Sequence, residues 1–208
     1  PEDFDYDKHL NPPYNPWEQR LCVVPSADLF RAMHSHKVDI VTDHIDRFTE
    51  KGILLKSGEE LEAELIITAT GLNVVPFGGV EGFIDGKPVH LGDHFTYRAM
   101  MLNDVPNMMF LLGYSNASWT LKIDLACDYL VRLLNHMDEH SYSVVTPRIR
   151  HAMEKVPLMD LSSGYLQRAA GKLPWAGTRD PWRLKNNWYF DQRMIHHSSI
   201  DDKELEFN

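Results

Sequence analysis

The residues best placed to do chemistry form one polar turn, Gly113-Tyr114-Ser115-Asn116-Ala117-Ser118-Trp119-Thr120. It lies between an apolar run, Met108-Met109-Phe110-Leu111-Leu112, and a stretch in which Leu121, Ile123, Leu125, Ala126, Tyr129, Leu130, Leu133 and Leu134 recur at helical spacing. A strand entering a short turn and then a helix aims backbone N–H groups and the positive end of the helix dipole at whatever sits above the turn. That arrangement holds anionic groups in α/β proteins. Asn116 or Ser118 also serves as the N-cap of the helix, a role worth about 1 kcal/mol.

The same turn has a second reading. Gly113-Tyr114-Ser115-Asn116-Ala117 is close to the elbow that presents a hydrolase nucleophile, with Ser115 as that nucleophile. Asp160 and His196 follow in the order Ser, Asp, His. No glycine run for an oxyanion loop lies upstream, where Gly78-Gly79 is the only pair and has a turn-like setting. Other clusters are weaker. Asp3, Asp5 and Asp7 alternate like cation ligands but lack the Gly and distant Glu of a calcium loop, so they read as a solvated arm. His34 with His36, and His196 with His197, are too closely spaced for a good ligand set, so no metal is expected. The tryptophans at 17, 119, 175, 182 and 188 are expected in the core or under the tail rather than around a substrate.

The elements that must position these residues follow from periodicity and turn chemistry. Residues 1–17 read as an irregular arm, 20–24 as a short strand, and Pro25-Ser26 as the start of a helix over 27–34. Strands are predicted over 38–42 and 45–49, and a hairpin turning at Ser57-Gly58 is predicted to lead into a strand over 61–68. Leu65-Ile66-Ile67-Thr68-Ala69-Thr70-Gly71 is apolar enough to suit a sheet covered on both faces. Asp85-Gly86 marks another hairpin. A long helix over 118–137 is followed by short helices over 147–156 and 161–170, and residues 173–208 are expected to wrap over a surface.

Composition narrows the classes. With 208 residues, 43% of them hydrophobic, the chain can bury one good-sized core or two small ones. Its 21 basic against 30 acidic residues, net −9, suit neither nucleic acid nor an anionic membrane surface. No apolar run approaches the ~18 residues of a membrane span. The first residues show neither the basic nor the apolar region of a leader, and the absence of an initiator Met points to a processed chain or a fragment. Cys22 and Cys127 form no disulfide framework and are expected as buried thiols in a reducing cytoplasm.

Three segments in order give a family resemblance. Asn15-Pro16-Trp17-Glu18-Gln19-Arg20-Leu21-Cys22, then Glu64-Leu65-Ile66-Ile67-Thr68-Ala69-Thr70-Gly71-Leu72, then residues 113–125 with Trp119-Thr120-Leu121-Lys122, resemble class B flavoprotein monooxygenases, the flavin-containing and Baeyer–Villiger monooxygenases. The tail Asp180-Pro181-Trp182-Arg183-Leu184-Lys185-Asn186-Asn187 resembles the end of bacterial members of the mycobacterial thioamide-activating type. The family's two G-x-G-x-x-G fingerprints and its F-x-G-x-x-x-H signature are absent, so the resemblance is to the C-terminal portion.

The resemblance implies an α/β fold, part of a flavoprotein with two dinucleotide-binding domains, with a β-rich middle and a helical C-terminal region. Residues 1–72 would end the NADP-binding domain and include the crossover, 73–146 would end the FAD-binding domain, and 147–208 would be a helical or irregular extension. It implies FAD and NADPH as cofactors. One oxygen atom from O2 would be inserted into a ketone or soft heteroatom of a small organic substrate through a C4a-peroxyflavin. Arg20 would sit over the flavin and stabilise negative charge on the peroxide and adduct. Gln19 stands where several relatives carry a Lys that contacts NADP. Ala69, Thr70 and Gly71 match the crossover element. Asn116, Ala117, Ser118 and Thr120 would face the pyrimidine edge of the flavin, where reduction leaves negative charge. Alone, the chain is expected to hold FAD weakly or not at all and to be inactive. A non-catalytic fragment that self-associates through the surface left by a missing N-terminal half is the remaining alternative.

Overall fold

The computed structural model describes residues 4–16, 18–159 and 161–208, so Asp3, Trp17 and Asp160 lie outside the described residues. The chain divides into two compact units, Pro1–Leu72 and Asn73–Asn208.

In the first unit, α1 (Tyr6–Leu10) starts where the Asp5 carboxylate accepts the Lys8 N–H at 3.0 Å. A 3₁₀ turn at Pro25–Ala27 leads into α2 (Asp28–His34), near the predicted helix, but Ser26 gives no capping bond. Three strands form an antiparallel sheet in chain order: β1 (Ile45–Phe48), β2 (Gly52–Leu55) and β3 (Glu60–Glu62). The hairpin at Ser57-Gly58 is therefore present, whereas the predicted strand over 38–42 does not form. Two further expectations are corrected. Residues 20–24 form no strand, and Val23 and Val24 are exposed. The apolar segment 65–71 also joins no sheet, with Leu65 78% and Ile67 80% exposed. A buried parallel strand exists only where neighbours on both sides take its N–H and C=O groups. The small β1–β2–β3 sheet does not supply them.

The second unit has a core built on one helix. The Asp85-Gly86 turn, with both φ positive, joins β4 (Gly82–Ile84) to β5 (Lys87–Val89) as predicted. The hairpin of β6 (Thr96–Tyr97) and β7 (Met101–Leu102) follows, and both its strands are buried. α3 (Trp119–Glu139) presents Leu125, Ala126, Tyr129, Leu133 and Met137 to Tyr97, Met100 and Met101. The apolar face is thus rotated from the one read in the sequence: Leu121 and Leu134 are exposed, and the face begins at Lys122.

The rest of the chain departs from the expected pattern. Residues 147–156 are not a helix. β8 (Val145–Pro147) pairs with β11 (Leu205–Phe207), and β9 (Val156–Pro157) pairs with β10 (Trp175–Ala176). Between them lies the short α4 (Gly164–Arg168). Residues 173–208 do more than wrap a surface. Trp182, Ile195 and Leu205 lie in the core with α3, and α5 (Trp188–Asp191) runs into a π-helical turn at Gln192–His196. Trp119 departs from the core placement expected of the tryptophans, being exposed at the start of α3. Cys22 and Cys127 are exposed free thiols, not buried ones. Among the described residues no helix is long and apolar enough to cross a membrane.

Candidate functional site

The 113–120 turn is reached by an extended segment rather than by a strand, since Met108 to Leu112 joins no ladder. Phe110 is nevertheless tied down, its N–H donating to the Met100 carbonyl at 2.8 Å. Gly113 then packs directly on Trp119, where an added Cβ would overlap the indole ring and the Trp119 backbone. The turn closes this tightly only with glycine at that position.

Asn116, Ala117, Ser118 and Thr120 are brought together and exposed at the start of α3. Ser118 has the extended backbone of an N-cap (φ −62°, ψ 135°) but makes no capping bond. Its hydroxyl is paired instead with the Thr120 hydroxyl at 2.8 Å. Among the described residues the first N–H groups of this 21-residue helix therefore have no side-chain cap, at the positive end of its dipole. This end fits one polar, electron-rich edge of a flavin. It does not fit a whole dinucleotide, because no glycine-rich phosphate loop occurs in the sequence.

Beneath the turn lies a cluster that the sequence reading did not assign. Tyr114 is buried, with the Lys122 ammonium 5.6 Å from its ring centroid. Lys122 donates to Asp191 Oδ2 at 2.6 Å, and the two side chains are only 2% and 0% exposed. Burial pulls the Lys122 ammonium below the usual lysine range, against the opposing attraction of Asp191. Burial first, and the Asp191 carboxylate second, push the Tyr114 hydroxyl above its ordinary value. Neither the Tyr114 hydroxyl nor Asp191 Oδ1 finds a well-formed hydrogen bond among the described residues. Asn186 completes the cluster: its Oδ1 accepts the Ser115 N–H at 3.2 Å, and its Nδ2 donates to the Ser115 hydroxyl. One signal was available, because a lysine at the head of an apolar helical face needs a buried carboxylate to meet it.

The remaining candidates lie in the first unit. Gln19 is half-buried and forms an isolated bridge with Pro16, while the Glu18 carboxylate accepts both the backbone N–H and the side-chain amide of Asn15. Arg20, next along, is exposed. Ala69 and Thr70 are exposed and belong to no strand, and Gly71 has φ +102°, a conformation that favours glycine.

Among the described residues, which exclude Asp160, no hydrolase triad assembles around Ser115. Its hydroxyl is engaged by Asn186, and His196 Nδ1 pairs with Asp128 at 3.0 Å on the surface. Among the described residues no group of three or more His, Cys, Asp or Glu side chains is arranged to hold a metal ion. Of the tryptophans, Trp175 lines a mostly apolar cavity of about 290 Å³, together with Leu158, Leu161, Leu166 and Leu173.

All 208 residues align at 49% identity with "FAD-containing monooxygenase EthA" of Mycolicibacterium smegmatis, and at 50% with the protein of the same name from Mycobacterium tuberculosis. Over 206 residues the chain is 47% identical to "Probable FAD-binding monooxygenase AlmA" of an Acinetobacter species. The chain covers 42% of the length of the first two and 41% of the third. No family model and no solved structure matches it.

Proposed function

We propose that this chain, homologous along its whole length to FAD-containing monooxygenases, is the C-terminal portion of such an enzyme. The complete protein would use NADPH and O2 in the cytoplasm to insert one oxygen atom into a ketone or a soft heteroatom of a small organic molecule. The observation that carries this reading is the unbroken match to relatives more than twice as long. Bound FAD supplies the oxygen-activating chemistry, and this chain supplies groups around it.

The exposed start of α3 gives N–H donors and a positive dipole end to the flavin edge that becomes negative on reduction. Asn116, Ala117, Ser118 and Thr120 are the residues in reach of it. Arg20, exposed in the first unit, stabilises negative charge developing on the reacting oxygen atoms. Gln19 beside it lies along the NADPH. Ala69, Thr70 and Gly71 form the crossover between the two dinucleotide-binding domains. The unpaired apolar segment 65–71 supports that placement, because it offers a strand to a sheet completed by the rest of the enzyme. Residues 1–72 then close the NADP-binding domain, 73–146 close the FAD-binding domain, and 147–208 form an extension folded back onto α3.

The test uses Arg20→Ala in the full-length protein, with NADPH consumption and oxygenated product measured together. Product formation should be lost while NADPH oxidation continues. Normal product yield from that variant removes Arg20 from the mechanism. The 208-residue chain on its own should purify without colour. Stoichiometric flavin in it would contradict the view that the phosphate-binding parts lie elsewhere.

A further inference from the structure

Segment 186–191 grips the 113–120 turn on two sides. On one side Asn186 takes Ser115 by both its backbone N–H and its hydroxyl. Asn186 adopts a left-handed backbone, φ 53°, a conformation that Asn tolerates better than most residues. The next residue, Asn187, does a different job: its side chain accepts the Phe190 N–H and starts α5. That short helix ends on Asp191, whose carboxylate takes Lys122 from the first turn of α3 at 2.6 Å. Tyr114 is buried next to this pair, its ring 5.6 Å from the Lys122 ammonium. The turn is thus bounded by Ser115 before the helix and Lys122 inside it, and both are held by six consecutive residues of the C-terminal segment.

Packing alone does not require this chemistry. An apolar pair at 122 and 191 would fill the same space without desolvating two charges, so the charged pair adds direction at a stability cost. The amide grip on Ser115 likewise fixes the Tyr114–Ser115 peptide plane, within the turn that leads to the exposed start of α3. Preorganised donors act on a bound charge only when their geometry is held to within a fraction of an ångström.

We propose that Asn186, Asp191 and Lys122 are positioning residues that clamp the 113–120 turn and set the geometry with which it receives the flavin. This rests on the reading of that turn as flavin-facing. None of the three touches the cofactor; they act through Ser115 and the first turn of α3.

The experiment compares the full-length wild type with Asn186→Ala and with the double variant Lys122→Met/Asp191→Leu. Two quantities are read: the dissociation constant for FAD, and amide hydrogen exchange in peptides covering 113–120 and, as a control, the β8–β11 pair. Each variant should weaken FAD about ten-fold, the equivalent of one lost hydrogen bond or ion pair. Exchange should rise about ten-fold at 113–120 and stay at the wild-type level in β8 and β11. The double variant removes both charges together and so leaves no buried ion behind, which keeps the protein folded. A wild type that binds flavin, with variants unchanged in affinity and in exchange at the turn, overturns the clamp and leaves the flavin reading standing. Equal increases in exchange at the turn and at β8–β11 assign the three residues to general stability and also overturn it. A wild type that binds no FAD overturns both the flavin reading and the clamp built on it.

Discussion

Two cations are buried along α3 against carboxylates from the C-terminal segment, and the two sites are built differently. Arg98 donates to Asp202 Oδ2 at 2.8 Å, to the Met194 carbonyl and to the Ser198 hydroxyl. Its guanidinium also lies 5.1 Å from the Tyr97 ring centroid and 5.2 Å from that of Tyr129. Lys122 has one carboxylate oxygen and one aromatic face. A guanidinium with several acceptors joins many elements at once and makes a framework. An ammonium with a single partner fixes one contact, here beside the turn.

Arg98→Met gives the largest effect. It takes the guanidinium from Asp202, which keeps only the Tyr97 hydroxyl and the Glu204 N–H, and from the Met194 carbonyl and Ser198 hydroxyl, and should cost about 3–5 kcal/mol in urea denaturation of the chain. Lys122→Met comes next, at about 3 kcal/mol, because it strands the fully buried Asp191 carboxylate. The double variants separate the sites. Lys122→Met/Asp191→Leu should return to within about 1 kcal/mol of wild type, since an apolar pair can replace a lone buried ion pair. Arg98→Met/Asp202→Leu should not, because Met194 and Ser198 still lack their donor. Equal recovery of the two doubles would erase the distinction.

Acid sharpens the same contrast. Burial raises the Asp202 carboxyl, but the Glu204 N–H and the Arg98 and Tyr97 donors outweigh it, and the group ends below the usual aspartate range. The unfolded chain, with an Asp pKa of about 3.9, then holds more protons than the native state just below that pH. The stabilisation from Asp202 is complete above about pH 5 and is lost as pH falls through the lower native value. Asp202→Asn should be less stable than wild type at neutral pH, and its stability should fall less steeply between about pH 4 and 2.

How far such sites could be read from sequence depended on the range of the forces involved. The long helix, the Asp85-Gly86 hairpin and the Ser57-Gly58 turn were legible because local periodicity and backbone preference decide them. Apolarity alone predicts a buried strand over 65–71, yet a strand also needs neighbours, and the exposed Leu65 and Ile67 pair with none among the described residues. The buried face of α3 differs from the one its periodicity predicts, because Leu121 and Leu134 outweigh Lys122 in any count of apolar residues. Lys122 is itself the one local sign of the pair, while its partner Asp191, 69 positions away, leaves none. Asn186 carries no local signal for the same reason: its role depends on Ser115, 71 positions away. The turn itself was legible as a place, while the side chains that hold it were not.

The smallest effect tests what the start of α3 is for. Ser118 has the backbone of an N-cap, but its hydroxyl is spent on Thr120, so the first N–H groups of the helix keep no side-chain partner. Ser118→Asp supplies a carboxylate that can accept from residue 120 or 121 at the positive end of the dipole. The 208-residue chain should gain about 0.5–1 kcal/mol in urea denaturation. In the full-length protein the same negative charge opposes the reduced flavin. The two-electron midpoint potential should fall by roughly 20 mV, the equivalent of about 1 kcal/mol. A helix end with no part in receiving the flavin would show the gain with no change in potential, and that result would place the flavin elsewhere. A gain in stability matched by a fall in potential means that the uncapped helix is maintained for the cofactor at the expense of the fold, the converse of the Arg98 site.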